Sequence, residues 1–152
     1  MDALVTVLMT WLAFNFTLPA ELEPPEVRFV SEREMLELRV AADLGNSAVT
    51  AQMPAPSVGA PYGVHAVYDD ERRTILLPEG WTGTTPAEVS VLVHELVHHL
   101  QNVADIPYDC PEAREKLAYQ AQDSWLALFG ETLAEEFELD PMTRLLRTSC
   151  LR

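Results

Sequence analysis

The spacing of apolar residues changes along the chain, and each change predicts an element. A nearly unbroken apolar run, ALVTVLMTWLAFNFTL over Ala3 to Leu18, is interrupted only by Thr6, Thr10, Asn15 and Thr17 and closed by Pro24-Pro25. Glu26-Val27-Arg28-Phe29-Val30 then alternates polar and apolar, the period of a half-buried strand. Ser31 with Glu34 three residues on forms a capping box, and Met35, Leu36, Leu38 and Val40 continue as an apolar stripe, so a helix is expected to about Gly45. Residues 46–63 carry Pro54, Pro56, Gly59, Pro61 and Gly63 and read as a long irregular connection, a kind of segment that is usually functional or mobile.

Beyond it, Val64 to Tyr68 and Thr74 to Leu77 are strand-like runs separated by the polar stretch Asp69 to Arg73, which predicts a hairpin. Thr85 then stands as a helix N-cap, with Pro86 at the first helical position and Glu88 three residues after the cap, and the helix should run to about Val103. A further helix starts at Pro111 and continues to about Phe129, before Gly130; weaker helical signals lie in Leu133 to Glu138 and Met142 to Leu146. There is no internal repeat. The pattern predicts one helix-rich α+β domain with a small sheet, spanning residues 1–152.

The amino-terminal run admits three readings: a helix packed into the core, a secretory signal, or a membrane anchor. A signal wants a basic start, whereas Asp2 stands here, and a spanning helix wants about 20 apolar residues. A core-packing helix is therefore expected, leaving the chain cytoplasmic; a signal would export it. With 24 Asp plus Glu against 10 Lys plus Arg the formal charge is −14, which repels phosphate backbones and anionic lipid and excludes nucleic acid and polybasic membrane binding. Cys110 and Cys150 form no CxxC pair, and either one disulfide or two free thiols fits the sequence. If they bridge, the tail is pinned beside the helix that begins at Pro111 and an oxidising compartment follows.

The histidines bring in chemistry. Three of the four, His94, His98 and His99, fall within six positions on the helix predicted from Thr85, and His94-Glu95-Leu96-Val97-His98 is an HExxH motif. Residues four apart lie about 40° apart around a helix, so both imidazoles can share one ion, while Glu95 sits about 100° away at the edge of that face. Val91, Leu92, Leu96, Val97 and Leu100 would bury the helix and keep the ligands on a rigid element. Zinc is the ion expected for such ligands, one per chain.

A third protein ligand is still needed. The pattern HExxHxxGxxH requires Gly at 101 and His or Asp at 104, where this chain has Gln101 and Ala104, so that arrangement is excluded. A Glu from the following helix is the other solution. Glu115, Tyr119 and Gln122 share one face of that helix, which makes Glu115 the first candidate and Glu112, near the helix start, the alternative.

HELVH, followed 17 residues after its second His by Glu-Lys-Leu-Ala-Tyr, resembles the gluzincin branch of zinc metallopeptidases, and is most similar to the very small members of that group. The resemblance covers roughly residues 64–130 and implies a zincin-like domain in which an active-site helix is followed by a ligand helix. It makes His94, His98 and Glu115 the zinc ligands and Glu95 the general base, with peptide bonds hydrolysed through a zinc-bound water that Glu95 deprotonates. Where gluzincins often place an acidic residue to orient a ligand histidine, this chain has Tyr119, which could bond a ligand, stabilise the oxyanion or simply pack. His99 and His65 are further oxyanion candidates, each also readable as structural. The implied partner is a peptide or protein substrate, added as a strand along the edge formed by the Val64 to Leu77 hairpin. Only 37 residues follow Glu115 in the 152-residue chain, which leaves little for a second lobe and keeps open a non-proteolytic zinc-binding interaction or regulatory domain.

Overall fold

A computed structural model describes residues 1–19, 23–44 and 66–150. In chain order the elements are helix α1 (Asp2–Phe16), strand β1 (Glu26–Val30), helix α2 (Glu32–Leu44), strands β2 (Val67–Asp69) and β3 (Thr74–Pro78), and helices α3 (Pro86–Val103), α4 (Pro111–Ala127), α5 (Leu133–Phe137) and α6 (Pro141–Thr148). The fold is the helix-rich α+β arrangement the periodicity predicts.

Capping chemistry sets the helix starts. Thr85 Oγ1 accepts from the Glu88 amide at 3.1 Å, and the Glu88 carboxylate accepts in turn from the amides of Thr82, Thr84 and Thr85, so the capping box of α3 closes in both directions. Ser31 Oγ caps α2 through the Glu34 amide at 3.2 Å. Asp140 caps α6 by accepting from Met142 and Thr143 at 2.8 and 3.1 Å.

The sheet has the order β1-β3-β2, with β1 parallel to β3 and β2 antiparallel to it. The expected hairpin is present, but β3 is the central strand, so the expectation that the whole hairpin forms the sheet edge is corrected: among the described residues, β2, three residues long, is the edge strand on that side. The reason lies in β3 itself. Ile75 and Leu77 face the main core while Leu76 joins Val30, Met35 and Val67 in a smaller cluster beside α2, so the strand is apolar on both faces and is paired on both edges. Val64, His65 and the proline-rich connection of residues 46–63 lie outside the described residues.

The main core is built on α3, whose Leu92, Leu96 and Leu100 have no exposed surface. Around them pack Ile75 and Leu77 of β3, Ala118 and Ala121 of α4, and Val5, Leu8, Met9 and Leu12 of α1. The amino-terminal run is thus a core-packing helix. No helix among the described residues is long and apolar enough to cross a membrane. A disulfide joins Cys110, at the start of α4, to Cys150, just beyond α6. Such bridges persist in oxidising compartments.

Candidate metal centre

Helix α3 is packed into the core on several sides, so the polar residues in its middle have to satisfy one another. His94 Nε2 lies 3.1 Å from Glu115 Oε2, and His98 Nε2 lies 3.3 Å from Glu115 Oε1. One potential ligand atom from each of the three residues falls within 4.8 Å of the others. Zinc bonds of about 2.0–2.2 Å in a tetrahedron imply ligand-to-ligand edges of about 3.3 Å, the length of these two nitrogen-to-oxygen separations. Glu115 is buried, and α4 carries it to the two imidazoles; Glu112, one turn nearer the helix start, stays outside the group.

Both imidazoles are held from behind by a carboxamide. His94 Nδ1 is 3.1 Å from Gln122 Oε1, and His98 Nδ1 is 3.1 Å from Gln101 Oε1. An amide oxygen only accepts, so each Nδ1 carries a proton and donates it, and Nε2 is the ring nitrogen that each imidazole turns toward Glu115. The orientations of the two amides are themselves determined: Gln122 Nε2 donates to Ser90 Oγ at 3.2 Å, and Gln101 Nε2 donates to the Arg114 carbonyl at 3.1 Å. Ser90 Oγ is free to accept because its own proton goes to the Ala87 carbonyl at 2.7 Å. Two neutral, buried second partners that fix both ligand tautomers are what a centre for a divalent cation needs.

Burial works to raise the pKa of both carboxyls, and their neighbours decide the outcome at each. For Glu115 burial alone would raise the pKa, but the adjacent His98 and His94 overcome it and hold the carboxyl well below the ordinary range. Burial dominates at Glu95, whose carboxyl is pushed above its usual value despite the pull of His94 and His98, and the Glu115 charge adds to the rise. Glu95 is buried beside the two imidazoles and is not engaged by any hydrogen bond among the described residues.

Residues 1–151 match a family described as a domain of unknown function, DUF6647. The chain belongs to that family. No curated protein and no solved structure matches it.

In this DUF6647 domain a second polar network ties α3 and α4 to the hairpin. Arg114 donates to both oxygens of Asp70 at 2.8 and 2.6 Å and to the His98 carbonyl at 3.2 Å. His99, an oxyanion candidate by sequence, is used up there: its Nε2 donates to the Glu23 carbonyl at 2.7 Å and its Nδ1 accepts from the Tyr68 hydroxyl at 3.0 Å, which in turn accepts from Asn102. It is a structural histidine whose pKa is lowered by burial. Tyr119 sets its ring against His94, with centroids 4.8 Å apart, and does not take the place of an acidic partner to a ligand, since Gln122 holds that position. His65 lies outside the described residues. Gln101, Ser90, Arg114 and Asp70 carried no signal in the sequence; Gln122 carried one, its place on the same helical face as Glu115.

Proposed function

We propose that the DUF6647 domain is a zinc-dependent peptide hydrolase in which His94, His98 and Glu115 hold the ion and Glu95 is the general base. One observation carries the proposal: two imidazoles whose Nε2 atoms face one buried carboxylate, with a second buried carboxyl beside them that takes no part in the group. A zinc ion held there would polarise the scissile carbonyl and lower the pKa of its bound water to about 7. Glu95 would accept the proton from that water and return it to the leaving amine, a role that burial favours by raising its proton affinity. Peptide as substrate follows from the gluzincin resemblance, with β2 as the edge along which an extended chain would add.

A zinc-binding module without catalysis is the second reading. It is favoured by the shortness of β2, which gives an extended substrate only three residues of backbone to pair with. The two are separated by metal analysis of the purified protein together with hydrolysis of an unfolded protein substrate. The hydrolase requires about one zinc per chain, loss of zinc in His94→Ala or His98→Ala, and a Glu95→Gln variant that keeps zinc and loses activity. Activity that survives Glu95→Gln refutes the base assignment; zinc binding with no hydrolysis in any condition leaves the module.

A further inference from the structure

Helix α6 has no buried residue, so packing into the core does not hold it in place. It is tethered to α4 instead, by the Cys110–Cys150 disulfide beyond its last turn and by Arg144, which donates to Asp123 at 2.8 Å. Between these tethers Arg147 turns inward and stands beside the Tyr119 hydroxyl. Tyr119 in turn rests its ring on His94, so one side chain spans from the metal centre to the arginine. Arg147 Nη1 is enclosed and finds no hydrogen-bond partner among the described residues. A guanidinium nitrogen withdrawn from water and left unpaired is costly, and such groups are normally matched by an acceptor. The surroundings make it more notable, because this is one of only 10 basic residues in a chain with 24 acidic ones, and an acidic protein repels an anionic ligand unless a cation is placed to receive it.

We infer that Arg147 receives an anionic oxygen of the bound substrate, with Tyr119 linking that position to the His94 side of the metal centre. A guanidinium presents a planar fork of donors suited to a carboxylate or to an oxygen acquiring charge. Two sources of that oxygen share this chemistry: the carboxylate at the C-terminus of a peptide, and the oxyanion that forms on the scissile carbonyl. The inference relies on the hydrolase reading for what the substrate is, while the need of Arg147 for an anion stands apart from it.

The test uses the full chain, apo and zinc-loaded, as wild type, Arg147→Met and Arg147→Lys. Binding of N-acetyl-Ala-Phe and of its C-terminal amide is measured by calorimetry, hydrolysis of a peptide capped at both ends is followed, and zinc content and thermal melting are recorded on the same samples. A carboxylate source predicts that wild type prefers the acid over the amide by about tenfold or more and that Arg147→Met removes the preference with zinc content unchanged. An oxyanion source predicts equal binding of acid and amide, and a kcat on the capped peptide that falls by about 100-fold in Arg147→Met with KM unmoved. Arg147→Lys, which keeps the charge and loses the fork, should fall between, and it decides the question if the Met variant does not fold. The inference is overturned if Arg147→Met leaves both the acid-to-amide ratio and kcat at wild-type values. A wild-type chain without zinc refutes the metal reading instead, and the acid-to-amide comparison in the apo protein still decides Arg147.

Discussion

Removing the disulfide by Cys110→Ala with Cys150→Ala should loosen α6 before it loosens anything else. The bridge closes a loop across a sequence separation of 40, which in the chain-entropy treatment corresponds to about 4 kcal/mol against global unfolding at 25 °C. That figure overstates what the folded protein loses, because the chain is held independently as far as Leu139, which is buried with Tyr119, Leu126 and Leu133. Only the segment from Asp140 onward gains freedom, and for a stretch of roughly ten residues the same relation gives about 3 kcal/mol, or on the order of 100-fold in the local opening equilibrium. The remaining tether cannot make this up. Both side chains of the Arg144–Asp123 pair are about a third exposed, at 33% and 38%, and an ion pair so open to solvent contributes under about 1 kcal/mol. The assay is native-state amide exchange with and without the bridge, backed by trypsin cleavage after Arg144 and Arg147. Exchange of the α6 amides should accelerate on the order of 100-fold, while α3 amides change by no more than the global loss allows. Equal protection of α6 in the two proteins would refute the reasoning, and would mean that contacts other than the bridge hold the helix.

Other expectations concern the centre and the core. Gln122→Leu and Gln101→Leu should each weaken zinc binding by about 10- to 100-fold in a chelator competition, and unchanged affinity would show that the carboxamides do not orient the ligands. Glu115→Gln should cost more than either, and a variant that binds zinc like wild type would return Glu112 to consideration as the third ligand. Stripping zinc with a chelator should lower thermal stability, by about 4 kcal/mol relative to protein at a free-zinc concentration 1,000 times its Kd, and coincident melting curves would remove the metal from the folded state's energetics. Leu96 has no exposed surface, so Leu96→Ala should cost about 2–5 kcal/mol in urea unfolding; a much smaller loss would mean that the core beside the HExxH turn can collapse onto the cavity.

How far the sequence reached depends on the distance over which each signal acts. Helix α3 runs from Pro86 to Val103 as expected because its start is specified by Thr85, Pro86 and Glu88, which lie within four positions, and its burial by an apolar stripe. The grouping of His94, His98 and Glu115 was legible for a related reason: the spacing of His94 and His98 is a property of one helix, and the face shared by Glu115, Tyr119 and Gln122 a property of another. What escaped were pairings between elements. His94 and Gln122 are 28 residues apart, and Arg114 and Asp70 are 44 apart, so no local pattern registers them. The parallel pairing of β1 with β3 escaped likewise, since α2 and the long connection intervene between Glu26 and its partner Thr74. A near pair that went unread, Gln101 with His98, is a side-chain direction and not a spacing: Gln101 points at the imidazole because its other end is taken by the Arg114 carbonyl on α4.

The division of labour between core and tether bears on how one side of the proposed site could be walled with little buried surface. The proposed ligands and their carboxamides, His94, His98, Glu115, Gln101 and Gln122, all belong to α3 and α4, whose packing fills the main core. Arg147 belongs to α6, which buries nothing and is fastened at its end by a covalent bond. A helix can flank a site without contributing to a second hydrophobic lobe if a bridge supplies the positional constraint that packing would otherwise supply. The two halves of the proposed site then rest on different physics. Opening the bridge should leave the zinc affinity where it was, since no ligand moves with α6, while the acid-to-amide preference or the kcat that depends on Arg147 should fall as that residue leaves Tyr119. Zinc affinity and anion recognition falling together on reduction would contradict this separation, because it would show that α6 also supports the α3–α4 pair.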